Sequence, residues 1–225
     1  MNFDFDQIIF GIIQLACFIP AIVIHEFSHG FVAYKLGDPT AKSLGRLSLN
    51  PLKHIDPFGT VILPILLAFL GGPVFGYAKP VPYNPRYFKN LKVGEVLTGI
   101  AGPASNLAMA IITALVSLVL YQLNAFTGEA AEWVFFALFL FCYINLILMF
   151  FNLIPIPPLD GSSLIVPLLP EKALPNWYKV QRYALPILLV VVFVLPSFLG
   201  FSPLSSYLDF TAGNLIRGLF PYIDF

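Results

Sequence analysis

The chain has 225 residues, 58% of them apolar, 16% aromatic and 11% charged, where an ordinary soluble domain is about 45–50% apolar and about 25% charged. That composition excludes a soluble globular domain and identifies an integral membrane protein. Twelve Lys plus Arg balance twelve Asp plus Glu, so no positive excess exists to neutralise phosphates, and nucleic acid is excluded as a partner.

A spanning helix needs about 20 mostly apolar residues, and 8–36 is the first stretch to supply them. Its start, Met1-Asn2-Phe3-Asp4-Phe5-Asp6, is acidic where a signal peptide is basic, and no A-x-A-like cleavage site follows, so the segment is expected to be retained. Residues 41–50 partly alternate polar and apolar side chains around Gly45, the pattern of a short strand or hairpin. The stretch 58–78 is apolar but carries Pro64, Gly71, Gly72, Pro73 and Gly76, which interrupt a regular helix. Lys35, Lys42, Arg46 and Lys53 precede it, and Lys79, Arg86, Lys89 and Lys92 follow it. Both flanks therefore read as cytoplasmic, and 58–78 reads as a re-entrant segment rather than a simple crossing.

Further spans are expected at 93–122, 133–154 and 183–203, with a weaker one at 204–222. The loop 123–132 holds Glu129 and Glu132 without Lys or Arg and reads as external, while 155–182 holds Lys172, Lys179 and Arg182 and reads as internal. The N-terminus then lies outside. Cys17 and Cys142 sit inside apolar stretches without metal-type spacing, as core or lipid-facing filler. The expected fold class is an all-α polytopic membrane protein of about 5–6 transmembrane segments, with a re-entrant loop and a short membrane-associated β-hairpin. No repeat or linker divides it, so residues 1–225 read as one domain, with a core at 8–161 and C-terminal membrane segments at 162–225.

Within the first apolar stretch stands His25-Glu26-Phe27-Ser28-His29, an H-E-x-x-H sequence. On a helix the two histidines lie one turn apart on one face, so both imidazoles can hold one Zn²⁺ while Glu26 addresses its water. Random placement at this composition predicts about 0.001 such matches. The alternative is a pair of packing histidines with a snorkelling glutamate. An ionisable group in a span costs about 2.5–3.5 kcal/mol on insertion scales, which weighs against that alternative.

A catalytic zinc takes three protein ligands and keeps one position open. His25 lies about 17 residues, or about 26 Å, from the outer end of its segment, near the cytoplasmic leaflet. Asp160 follows the cytoplasmic end of 133–154 and reaches similar depth if the turn Pro155-Ile156-Pro157-Pro158-Leu159 folds back, which favours it as third ligand over an N-cap role before Ser162. His54, in the polar loop Asn50-Pro51-Leu52-Lys53-His54-Ile55-Asp56, reads as a surface histidine or a secondary gating residue. Gly102-Pro103 loosens the helix at 93–122 and lets a neighbour approach, and Asn106 four residues on can donate to an oxyanion or bond another helix. Asn145 reads as structural.

These pieces resemble the site-2 protease family of intramembrane zinc metalloproteases, peptidase family M50, in its compact prokaryotic branch without a PDZ or CBS domain. The resemblance rests on His25-Glu26-Phe27-Ser28-His29, on Ala101-Gly102-Pro103-Ala104-Ser105-Asn106 and on Asn152-Leu153-Ile154-Pro155-Ile156-Pro157-Pro158-Leu159-Asp160-Gly161. The runs from Gly37 to Lys42 and from Asn50 to Pro57 add to it. It implies that His25, His29 and Asp160 ligate one zinc per chain, that Glu26 is the general base, and that Asn106 and Asn152 contact the substrate or its oxyanion. It also implies β-structure and a re-entrant loop before the third apolar segment.

The expected function is hydrolysis of peptide bonds in or near transmembrane segments of a protein substrate, in a prokaryotic cell membrane with the site toward the cytoplasmic leaflet. The substrate is expected to unwind and to pair with an edge strand near 41–50 or 74–83. Two other readings use the same residues: a membrane protein that keeps zinc without hydrolysis, and a metal-ion transporter. Structural zinc usually has four protein ligands, and transporters usually show inverted repeats, of which there is no trace. Nothing in the sequence points to a particular oligomeric state.

Overall fold

The computed structural model describes residues 5–62, 66 and 78–222. Helix α1 spans Phe5–Lys35, and α2 is a single turn at Thr40–Ser43. Two long helices follow, α3 at Leu91–Gln122 and α4 at Glu129–Asn152. A 3-10 helix at Asp160–Leu168 leads into α5 at Leu174–Leu189, and short helical pieces continue to Leu219. The described residues are helical and contain no strand.

Three of these helices are long and apolar enough to cross a membrane: Ile9–Lys35, Leu91–Gln122 and Glu129–Asn152. A fourth exists only if Glu171–Gln181 and Tyr183–Leu199, bent by 57° at their junction, count as one span. The expected 183–203 span is thus one arm of a bent pair, consistent with Pro186 and Pro196 within it and left-handed Gly200 at its end. Most of 58–78, the expected re-entrant segment, lies outside the described residues, as does 74–77.

Polarity is inverted relative to a soluble protein. Ile12, Leu15, Ile112 and Leu115 are each more than half exposed, while Thr98, Asn106, Ser117 and Asn145 are 0% exposed. Lipid tails reward apolar side chains outside and offer no hydrogen bonds, so polar side chains turn inward, where Asn106 and Asn145 bond each other. Helix α1 packs on α3 and α4, and α3 also packs on α4 and on the Asp160–Leu168 helix. Asn90 opens α3 by accepting the Val93 N–H, and the helix continues through Pro103. At Gly99 an added Cβ would stand 2.0 Å from Ser163 Oγ, so only glycine lets the Asp160–Leu168 helix lie this close to α3.

Cys142 and Leu146 of α4 form one core with Ala110 and Ala114 of α3 and with Ala212, Ile216 and Phe220 from the C-terminal pieces. Both cysteines are buried and free, as expected.

The hairpin expected at 41–50 is absent. Its alternation is overridden by local bonds: Asp38 Oδ1 accepts the Thr40 N–H and O–H, starting α2, and Gly45 at φ +63° turns the chain so that Arg46 and Leu47 N–H both reach Ala41 O. Residues 78–83, the described part of the edge expected at 74–83, form no strand. Pro80 and Pro82 have no N–H, Lys79 N–H is held by His54 O, and Val81 N–H is held by Glu26.

Asp38 is 1% exposed and also accepts the Asn84 N–H at 2.6 Å, joining the 38–46 turn to the 78–84 segment. Replacing it by Ala removes the acceptor of three part-buried hydrogen bonds, a loss of about 2 kcal/mol. Asp38→Ala is therefore expected to lower the thermal midpoint of the detergent-solubilised protein by about 4–8 °C, read by intrinsic fluorescence.

Candidate metal centre

His25 and His29 project from one face of α1, because residues four apart in a helix stack one above the other. Asp160 enters from the start of its 3-10 helix. The three ligand atoms meet: His25 Nε2 and His29 Nε2 are 3.1 Å apart, and Asp160 Oδ2 stands 3.1 Å from the first and 3.2 Å from the second. Among the described residues this is the group of His, Cys, Asp and Glu side chains with metal-binding geometry. Asp160 therefore lies at the depth that the sequence implies, and His54 does not join it.

The protonation of the two imidazoles follows from backbone carbonyls, which can only accept. His29 Nδ1 stands 2.6 Å from Thr98 O, so Nδ1 carries the hydrogen and Nε2 presents a lone pair. For His25 the constraint passes through two amides. Asn145 Nδ2 donates to Phe141 O, which leaves Asn145 Oδ1 to accept from Asn106 Nδ2 at 2.8 Å. Asn106 Oδ1 then faces His25 Nδ1 at 2.5 Å, so Nδ1 again carries the hydrogen and Nε2 the lone pair.

With both imidazoles neutral, three acceptors converge, and Asp160 Oδ2 is buried without a hydrogen-bond donor. A cation satisfies all three at once. Donors held 2.0–2.1 Å from a tetrahedral zinc stand about 3.3 Å apart, close to the 3.1–3.2 Å observed. The residues present fit such an ion. Gly102 makes room for them: a Cβ there would lie 2.3 Å from His29 Nε2 and 2.7 Å from His25 Nε2.

The site is covered by a model of peptidase family M50, which matches residues 13–195. The chain belongs to peptidase family M50. It is 41% identical over 183 residues to "Putative zinc metalloprotease YwhC" of Bacillus subtilis, an overlap of 79% of this chain and 78% of that protein. Proteins named "Putative zinc metalloprotease Rip2" are 28% identical: over 218 residues in Mycolicibacterium smegmatis, covering 92% of this chain and 80% of the relative; and over 189 residues in Mycobacterium tuberculosis, covering 84% and 69%. No solved structure gives a significant match.

The other expected site residues of this M50 peptidase lie outside the group of three. Glu26 lies outside the ligand group, with Oε2 accepting the Val81 N–H at 2.9 Å. Asn106 is beside the site, with its amide bonded to His25 and Asn145. Asn152 donates to Leu148 O of its own helix and makes no hydrogen bond to the ligand group. His54 is 2% exposed, not a surface histidine, and it shapes a loop: Nε2 donates to Ser48 O at 2.7 Å and its carbonyl accepts from Lys79 N–H.

Sequence reasoning missed Thr98 and the Val81 amide. Thr98, Gly102 and Asn106 recur at intervals of four along α3, a spacing that marks one face; a backbone amide leaves no such mark. Asn106→Leu frees His25 to change tautomer and is expected to weaken binding of a divalent metal by about 10- to 100-fold, measured by equilibrium dialysis against zinc.

Proposed function

We propose that this protein is an intramembrane zinc metalloprotease that hydrolyses peptide bonds within or near transmembrane segments of membrane proteins. The observation that carries the reading is the convergence of three protein acceptors, with a carboxylate next to one of them in sequence but outside the ligand group. Three protein ligands with one position left open is the catalytic rather than the structural pattern. The M50 membership and the names of the relatives support zinc and proteolysis.

His25, His29 and Asp160 would hold the ion. Zinc in such a site polarises a carbonyl and makes a bound water acidic near neutral pH. Glu26 supplies the proton transfer: its carboxylate takes a proton from the attacking water and returns it to the leaving amine. The Val81 amide engages one of its oxygens, which leaves the other for that proton. Asn106 and Thr98 hold the imidazoles with their lone pairs inward, so these ligands need no rearrangement.

His25 lies ten residues before the end of α1 at Lys35, about 15 Å along the axis. The loops beyond that end carry Lys42, Arg46, Lys53, Lys79 and Arg86, which supports a site near the cytoplasmic leaflet and an external N-terminus. A peptide bond at that depth belongs to a membrane-embedded substrate, whose helix must open because its carbonyls are otherwise bonded internally.

Elemental mass spectrometry on the purified protein is expected to find one zinc per chain, lost in His25→Ala and Asp160→Ala. Glu26→Gln is expected to keep the zinc and to lower cleavage of a transmembrane substrate by about 10²–10⁴-fold. Full cleavage by Glu26→Gln would remove that residue as the base, and a wild type without zinc would overturn the reading.

A further inference from the structure

One anionic cluster near the site has no part in the chemistry above. Glu95, in the second turn of α3, is 2% exposed and accepts O–H bonds from Tyr83 at Oε2 and Tyr178 at Oε1, each 2.9 Å. Among the described residues no Lys, Arg or His pairs with it. A buried carboxylate without a counter-charge is costly, and apolar side chains would join α3 to α5 more cheaply. Burial and the Glu95 charge push the Tyr83 phenol far above its ordinary value, so it stays a donor.

Tyr83 ends the run Lys79-Pro80-Val81-Pro82-Tyr83, which crosses α1 at the site. Val81 packs where Gly30 lacks a side chain, since a Cβ on Gly30 would stand 2.7 Å from Val81 Cγ1. Arg46 Nη2 donates to Lys79 O at 2.8 Å, and Val81 N–H donates to Glu26 Oε2. The two prolines fix φ on both sides of Val81 and remove their own donors, so the run presents a single amide to α1. Glu95 also precedes Thr98, Gly102 and Asn106 on the same face of α3, at spacings of three, four and four. The three inner positions serve His29 and His25, and the outermost reaches Glu26 through Tyr83.

We propose that Glu95, acting through Tyr83, is a positioning residue that holds the Pro80-Val81-Pro82 run so that the Val81 amide orients Glu26. The proposal rests on Glu26 being the base, as argued above. Its physical content is geometric: Tyr83 is two residues from Val81, so loss of its anchor displaces the amide, and a displacement near 1 Å costs about 10²-fold in rate.

Hydrogen exchange read by mass spectrometry on the full chain in detergent tests the link directly. Within residues 79–83 only Lys79, Val81 and Tyr83 carry amide hydrogens, because the prolines have none. Tyr83→Phe is expected to speed exchange there about tenfold, with zinc content retained. Glu95→Gln, which keeps one acceptor, is expected to give a smaller change in the same direction. Glu26→Ala is expected to speed the same exchange, and the double variant with Tyr83→Phe no further, since both act on one bond. With a fluorogenic transmembrane peptide that the wild type cuts, Tyr83→Phe is expected to lower kcat about 10- to 100-fold at unchanged KM.

Unchanged exchange in Tyr83→Phe, additive exchange in the double variant, or a raised KM with kcat intact would each overturn the proposal. Should the wild type cut nothing, the proteolysis reading falls by itself. Accelerated exchange then still supports the link from Glu95 to Glu26, and unchanged exchange still overturns it.

Discussion

Three electron-pair donors, two neutral imidazole nitrogens and a carboxylate oxygen held within 3.2 Å of one another, repel unless a cation sits among them. Everything around the site is arranged to keep that group from relaxing. The constraint begins at two backbone carbonyls, Thr98 O on α3 and Phe141 O on α4. A carbonyl cannot donate, so each sets the direction of every hydrogen bond between itself and the centre. For His29 the path is one bond long; for His25 it runs through Asn145 and Asn106. Both paths end with an Nε2 lone pair aimed at the same point.

Such paths need a rigid frame, and the membrane setting supplies the reason for one. In hydrocarbon no water competes for the buried amides, so a bond such as Asn106 to Asn145 persists where a soluble surface would dissolve it. The frame is close because its contact residues are small. Gly102 lets both imidazoles lie against α3, and Gly99 lets the Asp160–Leu168 helix approach the same face. Helix α3 is thereby a ruler for the site: Asn106, Gly102 and Thr98 meet the two histidines in order along one face. Helical periodicity places these three positions at regular intervals along a single contact.

Much of this was legible without coordinates. The spacing of His25 and His29 needs only a helix to put both on one face, and the apolar run around them guarantees the helix. Asp160 followed from depth, because a residue just past a span must lie near the level at which that span ends. Asn145 was legible as structural, and it is the middle link of the His25 path. The pattern at 41–50 misled because periodicity over so few residues is weaker than one buried carboxylate and one left-handed glycine, Asp38 and Gly45. The 78–83 run likewise suggests a strand, yet its two prolines carry no N–H, and the Lys79 and Val81 amides are held by His54 and Glu26. His54, assigned to the surface, is buried by the loop that its own ring closes.

The sequence by itself determined the ligand types, the helix that carries two of them and the apolar exterior that embeds it. These depend on local spacing and on transfer from water to lipid, which act residue by residue. Tertiary structure decided which way each amide points, which nitrogen of each imidazole faces inward, and that a backbone amide from an extended proline-flanked run meets Glu26. Those outcomes depend on contacts between residues 39 to 81 positions apart in the chain. Only the packing of α1, α3 and α4 into one frame brings such residues to within a hydrogen bond.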